Sequence, residues 1–128
     1  MRLLVDTHIL LALLDPEHAV LPPGVAWLLH RETSCLHVSA ASLWEIAIKT
    51  RIGKLKPTVP LLALTEALDE LGIQIIAIDE RHALAHVEPE PPTRDPFDRM
   101  LLAQCKIEDM HLVTLDRALI SHPLAARA

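Results

Sequence analysis

Four acidic residues stand where a folded chain could gather them to bind a metal ion: Asp6, Glu45, Asp98 and Asp116. Asp6 ends the apolar run at residues 3–5, and Asp116 follows a second such run at residues 111–114. The carboxyl ends of parallel strands share one edge of a sheet, where open α/β sheets bind their ligands. Several carboxylates at one place raise one another's pKa unless a hard cation compensates them, and Mg²⁺ or Mn²⁺ prefers such oxygen ligands. We therefore predict a divalent metal site formed by these acids.

Two of the acids have an equally good structural explanation at the start of a helix. Asp6 precedes the predicted helix 7–14, and Asp116 precedes a predicted helix 117–121, so either side chain could be an N-cap. Thr7 and Thr114 could support the two acids through their hydroxyl groups, and Thr7 could instead simply begin its helix. The sequence leaves both explanations open.

The other two acids lie on predicted helices. Glu45 could pair with Lys49 four residues on, or form a capping box with Ser42. Because the helix 40–51 is apolar nearly all round, its one charged stripe must face water or a cleft, and we favour the cleft. Asp98 could complement a helix dipole. Since Asp95 already serves as a cap before Pro96, we assign Asp98 as the metal ligand.

The remaining candidates are weaker. Arg94, Arg99 and Lys49 could contact a phosphate group or a protein partner, or lie at solvated helix ends. His82 and His86 have the i, i+4 spacing of a helical metal pair, but we find no further ligand near them in the sequence. No His/Cys set with zinc spacing is present.

The composition describes one soluble globular domain over residues 1–128, with 51% hydrophobic residues and a net charge of −5. A chain with a net negative charge does not attract nucleic acid over its whole surface, although a bound metal ion changes the sign of the charge at its site. An aromatic content of 2% argues against base-stacking platforms such as RRM or OB surfaces. We find no membrane segment and no signal peptide, and two widely separated cysteines are typical of a reducing compartment, so we expect a cytoplasmic protein.

Strands alternate with helices along the whole chain. We predict strands at residues 3–5, 36–38, 73–78 and 111–114, the third of them buried. The predicted helices span residues 7–14, 23–31, 40–51, 61–71, 80–87, 97–108 and 117–121, with a proline-rich loop at 88–96 and a tail from about 123 that could fray. This alternation predicts an α/β fold in which helices flank a small parallel sheet on both faces.

Four segments, VDTHILLALL, SAASLWEIAIKTRIGKL, RDPFDRMLLAQ and LVTLDRAL, occur in the order found in PIN-domain ribonucleases. The chain most resembles the VapC-type toxins of bacterial and archaeal toxin–antitoxin pairs. The resemblance implies a PIN-like three-layer fold, an Mg²⁺- or Mn²⁺-dependent endoribonuclease, a cognate antitoxin that covers the site, and a homodimer. It carries the acidic site onto Asp6, Glu45, Asp98 and Asp116, with Thr114 as the supporting hydroxyl residue. Thr93 departs from the pattern, since close relatives often have His there.

Two rival functions use similar residues. A receiver-like or haloacid-dehalogenase-type phosphoryl-transfer domain also places Asp after its first strand, but it needs an adjacent acid pair or Asp-x-Asp, whereas Asp6 is followed by Thr7-His8-Ile9. A non-catalytic PIN-like binding module would keep the fold without the chemistry. Since all four acids are present, we favour the nuclease, and metal titration would separate the two.

Overall fold

A computed structural model describes residues 1–127 of the chain. Its strands are β1 (Arg2–Val5), β2 (Cys35–Ser39), β3 (Gln74–Ile76) and β4 (His111–Val113). Its helices are α1 (Thr7–Leu14), α2 (Pro23–His30), α3 (Ala40–Arg51), α4 (Leu64–Glu70), α5 (Glu80–Leu84) and α6 (Pro96–Glu108), and a 3₁₀ turn (Leu61–Ala63) leads into α4. The strands form one sheet in the order β3-β2-β1-β4, with every pair parallel. The predicted α/β fold with a parallel sheet is confirmed.

The central strand β1 packs against helices on both faces of the sheet. Leu3 and Val5 join the larger core with α1, α2 and α4, whereas Leu4 points to the opposite face and packs with Leu101 and Leu102 of α6. The side chains of Leu3, Leu4 and Val5 are all fully buried. Because successive side chains of a strand point to opposite faces of the sheet, the core has two layers with the sheet between them.

Capping side chains fix the first residues of the two helices that flank the carboxyl edge of the sheet. Asp6 caps α1, its Oδ1 accepting the backbone N–H of Ile9 at 2.9 Å. Ser39 caps α3, its hydroxyl oxygen accepting the N–H of Ala41 at 3.0 Å. Gly53 follows α3 with a φ of +78°, a conformation that L side chains disfavour. Each helix therefore begins directly at the end of a strand.

Three predicted elements differ from the structure. The helix predicted at 80–87 ends at Leu84, because the backbone of Ala85 is extended. The strand at 73–78 is shorter than predicted and is not buried along its length. Among the described residues β3 is an edge strand paired with β2 alone, and Ile75 and Ile78 are each 40% exposed, whereas Ile73 just before the strand is buried. Residues 117–121 do not form a helix but a series of turns, in which the N–H groups of Leu119 and Ile120 bond to Asp116 O. Five residues form too short a helix to be stable alone, and Pro123 disfavours helix at the residue before it.

The segment after Pro123 returns to the sheet. Leu112 donates its N–H to Leu124 O, and Ala126 donates to Leu112 O, at 2.8 and 2.7 Å. Ala125 is buried beside β4. The sequence allows this tail to fray, but residues 124–126 are hydrogen-bonded to the free edge of β4. Within residues 1–127, no helix is long and apolar enough to cross a membrane.

Candidate acidic site

Asp6 and Asp116 lie at the carboxyl ends of two neighbouring strands. Asp6 directly follows β1, and Asp116 comes three residues after the last residue of β4, which pairs with β1. The backbone N–H of Asp6 extends this pairing by donating to Val113 O at 3.1 Å. The chain leaves β1 for β2 on one side and returns to it through β4 on the other, so this edge is the point where the strand order reverses. Ligands of α/β sheets bind at such points.

Glu45 and Asp98 approach the same edge from two helices. Glu45 lies on the second turn of α3, and Asp98 lies on the first turn of α6, which packs against α3. The structure brings all four predicted acids to the wall of one cleft. Its lining residues are Asp6, Thr7, His8, Glu45, Lys49, Asp95, Asp98, Leu101 and Asp116. Asp95 therefore both caps α6, through the N–H of Phe97, and adds a fifth carboxylate to the cleft.

Glu45 is fixed by partners at both of its carboxylate oxygens. The Thr7 hydroxyl donates to Oε1 at 2.6 Å, and the Lys49 ammonium group lies 2.7 Å from Oε2. The buried Ser42 hydroxyl lies 3.0 Å from that of Thr7. Ser42 thus supports the cleft through Thr7, a role that the sequence did not indicate. We had offered Ser42 as the cap of a capping box, but Ser39 is the residue that caps α3.

Thr114 connects the two strand-end acids. Its hydroxyl oxygen accepts the backbone N–H of Asp116 at 3.0 Å, and its hydrogen bond to Asp6 lowers the pKa of that carboxyl. Asp116 Oδ1 in turn accepts the N–H of Ala118 at 2.9 Å. One small hydroxyl side chain therefore holds the loop after β4 against the end of β1.

Burial, with a further contribution from neighbouring charges, disfavours the ionised form of two carboxyl groups in the cleft. The pKa of Asp98 is raised to about 6, first by burial and then by the charges of Asp95 and Asp116. Burial also raises the pKa of Asp6, against the opposing effects of Thr114, the Ile9 N–H and His8. Both shifts disfavour the charged carboxylates, which is the cost expected for gathering like charges in a partly buried place.

This donor set fits a hard divalent cation. Mg²⁺ and Mn²⁺ take carboxylate oxygens, and their charge would offset both the burial and the repulsion that raise the pKa of Asp98. Among residues 1–127, no three of these carboxylates have oxygens within 4.8 Å of one another. That spread suits Mg²⁺, which is usually bound by one or two carboxylates and keeps several waters that reach further protein groups.

The basic candidates do not all reach the cleft. Lys49 lines it through its bond to Glu45. Arg99 turns instead to the preceding loop, where its Nε donates to Thr93 O at 3.0 Å, and Arg94 is exposed outside the cleft. The Thr93 hydroxyl lies 3.4 Å from Asp98 Oδ2, so the residue that departs from the family pattern touches the acidic site.

A second group of residues could bind a metal, away from the cleft. Asp79, His82 and Glu108 offer ligand atoms within 4.8 Å of one another. Asp79 lies only three residues before His82, so the prediction that no further ligand is near His82 in the sequence is wrong. His82 Nδ1 accepts the N–H of Asp79, so Nε2 carries the proton and donates to Glu108 at 2.8 Å. Arg81 bridges both carboxylates. With both ring nitrogens in use, the group caps α5 and ties it to α6.

Fold and cleft together define a class of protein: a parallel α/β domain with a carboxylate cluster at the carboxyl edge of its sheet. The chain matches the PIN domain family over residues 3–123. That match covers nearly the whole sequence, and the chain belongs to the PIN domain family. PIN domains are generally nucleases that act on RNA and typically use divalent metals. No curated protein matches the chain significantly.

Proposed function

We propose that this PIN domain is a metal-dependent endoribonuclease of the VapC type, the toxin of a toxin–antitoxin pair. The observation that carries the proposal is the meeting of Asp6, Glu45, Asp98 and Asp116, from four separate segments, in one cleft where the strand order reverses. Capping alone requires no such convergence. The raised pKa of Asp98 supports a site that is completed by a cation.

The roles of the residues follow from their surroundings. Asp6, Asp98 and Asp116 would hold Mg²⁺ or Mn²⁺, which when bound lowers the pKa of a water molecule and stabilises charge on phosphate oxygens. Glu45, which is fixed by Thr7 and Lys49, would orient a water or take its proton. The Lys49 ammonium group would offset negative charge on the phosphodiester at the rim of the cleft.

The partners belong to the proposal as well. A groove lined by apolar side chains of α1, of α2 and of the loop between them, among them Leu13, Leu21 and Ala26, offers a surface for an antitoxin segment or a second copy of the chain. Leu62 and Leu84 are also strongly exposed. Apolar surface of this kind supports protein contacts. A cytoplasmic location and a homodimer remain predictions, and light scattering of the purified protein tests the second.

A binding-only PIN module is the alternative. It is favoured by one observation: both oxygens of Glu45 already have a protein partner, and the Lys49 ammonium group offsets the charge of this residue without a metal ion. Under this alternative the protein would bind a metal ion without cleaving RNA, whereas the nuclease would bind the metal ion and cleave RNA.

The experiment measures cleavage of a mixed RNA pool by the purified chain with Mg²⁺ or Mn²⁺. Added EDTA and the variant Asp6→Asn are the two negative controls. Asp69→Asn, at an exposed acid of α4, is the matched control that changes charge away from the cleft. We expect cleavage that EDTA and Asp6→Asn both abolish and that Asp69→Asn leaves intact, with unchanged circular dichroism for each variant. Metal binding without cleavage favours the binding module, and an absence of metal binding refutes both.

A further inference from the structure

The two edges of the sheet differ in how the chain covers them. At the β4 edge, residues 124–126 return and hydrogen-bond to Leu112. At the other edge, β3 pairs with β2 alone among the described residues. The outer side of an edge strand presents unpaired N–H and C=O groups, which proteins usually protect with charge, proline, a short strand or a covering segment. The three residues of β3, Gln74-Ile75-Ile76, include no charge and no proline, so short length is their main protection.

A groove follows this open edge between β3 and α4. Its volume is about 410 Å³, and its lining residues are Thr65, Asp69, Gly72, Ile73, Gln74 and Ile75. Ile73 is buried, whereas Ile75 is 40% exposed and offers apolar surface to the groove. Asp69 of α4 is exposed and offers a carboxylate to it. The groove therefore combines a strand edge, an apolar side chain and a negative charge.

The charge of this part of the chain has one sign. Residues 61–80 contain no Lys, Arg or His but contain five acids, Glu66, Asp69, Glu70, Asp79 and Glu80. The whole chain has 17 acids and 12 Lys and Arg residues, so the rest of the chain has 12 of each and is balanced. The net charge of −5 thus resides in this one segment. None of the residues that line the acidic cleft belongs to it.

Three of these acids lie on α4 without a cationic partner. Glu66, Asp69 and Glu70 are exposed, and none of them forms an ion pair within residues 1–127. Glu66 and Glu70 have the i, i+4 spacing at which like charges destabilise a helix, and Glu70 ends α4, where a negative charge opposes the helix dipole. The stability of α4 does not explain these charges, whereas a positively charged partner would.

The same charges argue against two other occupants of the groove. A nucleic acid strand carries a negative phosphate at every nucleotide, so carboxylates without a cationic partner would repel it. A second copy of the chain, placed with its β3 beside this one, would bring two acidic segments together, and like charges across an interface are costly. Charge complementarity instead favours a basic polypeptide.

We propose that the open edge of β3 binds a basic, extended segment of a partner protein, which joins the sheet as a further strand. Its backbone would hydrogen-bond to the outer side of β3, and alternate side chains would enter the groove, apolar ones against Ile75 and basic ones beside Asp69. Because β3 has only three residues, main-chain bonds are few and the charges contribute much of the affinity. The surface lies outside the acidic cleft, so the inference does not rest on the proposed function.

NMR titration of the ¹⁵N-labelled chain with synthetic peptides tests the strand addition. The probe is a heptapeptide of alternating Arg and Val. One comparison peptide has Glu in place of Arg, and another has every backbone N–H methylated, which keeps the side chains and removes the donors. We expect the Arg/Val peptide to shift the amide signals of residues 74–76 and to slow their hydrogen exchange. Both comparison peptides should bind about tenfold more weakly or not at all.

Variants of the groove give a second readout with the same peptide. Asp69→Lys reverses the charge in the groove, and Ile75→Lys places a charge on the strand edge, so each should weaken binding about fivefold or more. Glu32→Lys is the matched control, because it makes the same change in net charge at an exposed acid between α2 and β2. It should leave the affinity nearly unchanged. Circular dichroism of each variant should match that of the unaltered chain.

The contrary outcomes are distinct from one another. Equal binding of the methylated peptide, or an equal loss in Glu32→Lys and Asp69→Lys, shows attraction by charge without strand addition and overturns the inference. Shifts confined to the acidic cleft, or no binding of the Arg/Val peptide, overturn it as well. Shifts at residues 74–76 that follow protein concentration without any peptide assign the edge to a second copy of the chain, which also overturns it. None of these results depends on whether the chain cleaves RNA.

Discussion

Replacing Asp98 by Asn should make the metal-free protein more stable at neutral pH. The pKa of Asp98 is raised from 3.8 to about 6, so the folded protein holds this proton more tightly than the unfolded chain does. Between about pH 4 and about pH 6 the unfolded chain therefore binds fewer protons, and stability falls as the pH rises. Above about pH 6 the full cost is present. An Asn side chain has nearly the same shape and carries no charge, so it avoids that cost.

The size of the effect follows from the same values. The difference between 3.8 and about 6 corresponds to ~3 kcal/mol, and because Asp98 is only partly buried, solvent screening reduces this to roughly 1.5 kcal/mol. Loss of a negative charge in the first turn of α6 costs about 0.5 kcal/mol. The remaining gain of about 1 kcal/mol raises the Tm of a chain of 128 residues by about 4 °C.

Thermal denaturation in EDTA at about pH 7.5 and about pH 5 measures this gain. Glu66→Gln is the matched control, because Glu66 is an exposed acid in the first turn of α4 and lies outside the cleft. We expect Asp98→Asn to raise Tm at the higher pH and to lose most of that advantage at the lower pH, while Glu66→Gln lowers Tm slightly at both. With Mn²⁺ present, Tm should rise for the unaltered chain and hardly at all for Asp98→Asn. A lower Tm for Asp98→Asn in EDTA at about pH 7.5 would refute the reasoning.

The hydrogen bonds around the cleft and at α5 give three further expectations. Thr7→Val removes the hydroxyl that holds Glu45 and should lower Mn²⁺ affinity or turnover about tenfold or more, whereas Thr7→Ser retains both; equal loss in the two variants would contradict this role. His82→Gln should lower the free energy of unfolding by about 1–2 kcal/mol and leave Mn²⁺ affinity unchanged by calorimetric titration, since His82 caps a helix. Mn²⁺ affinity of the unaltered chain should fall about tenfold for each pH unit below about 6, because Asp98 must lose its proton to bind; an affinity independent of pH would count against Asp98 as a ligand.

The strands whose apolar runs are buried were predictable from the sequence. β1, β2 and β4 lie where the pattern indicated, and the cap at Asp95 also agrees. The exposure of β3 could not be foreseen, because an apolar run does not reveal whether a strand lies at the centre or the edge of a sheet. The sheet order that decides this depends on tertiary packing.

For the acids, the sequence allows either a capping or ion-pairing role or a place in the cleft, and in the structure Asp6 and Glu45 have both. Asp6 caps α1 and also lines the cleft, and Glu45 pairs with Lys49 while it lines the same cleft. The reason is geometric: a helix that begins where a strand ends presents its first N–H groups at the strand's carboxyl edge, so a capping carboxylate already lies there. The link from Ser42 to Thr7 joins α3 to α1 and depends on how those helices pack, which no local pattern encodes.

The pairing of β1 with β4 makes the cleft a late product of protein synthesis. Leu4 pairs with Leu112, so strands near opposite ends of the sequence must meet, and closing so long a loop is entropically costly. A chain that a ribosome has extended only through β3 contains Asp6 and Glu45 but has neither Asp98 nor Asp116. Such a nascent chain holds two of the five carboxylates that line the cleft, and it lacks both α6, which brings Asp95 and Asp98, and β4, which precedes Asp116. The topology therefore delays assembly of the acidic cleft until translation has passed β4.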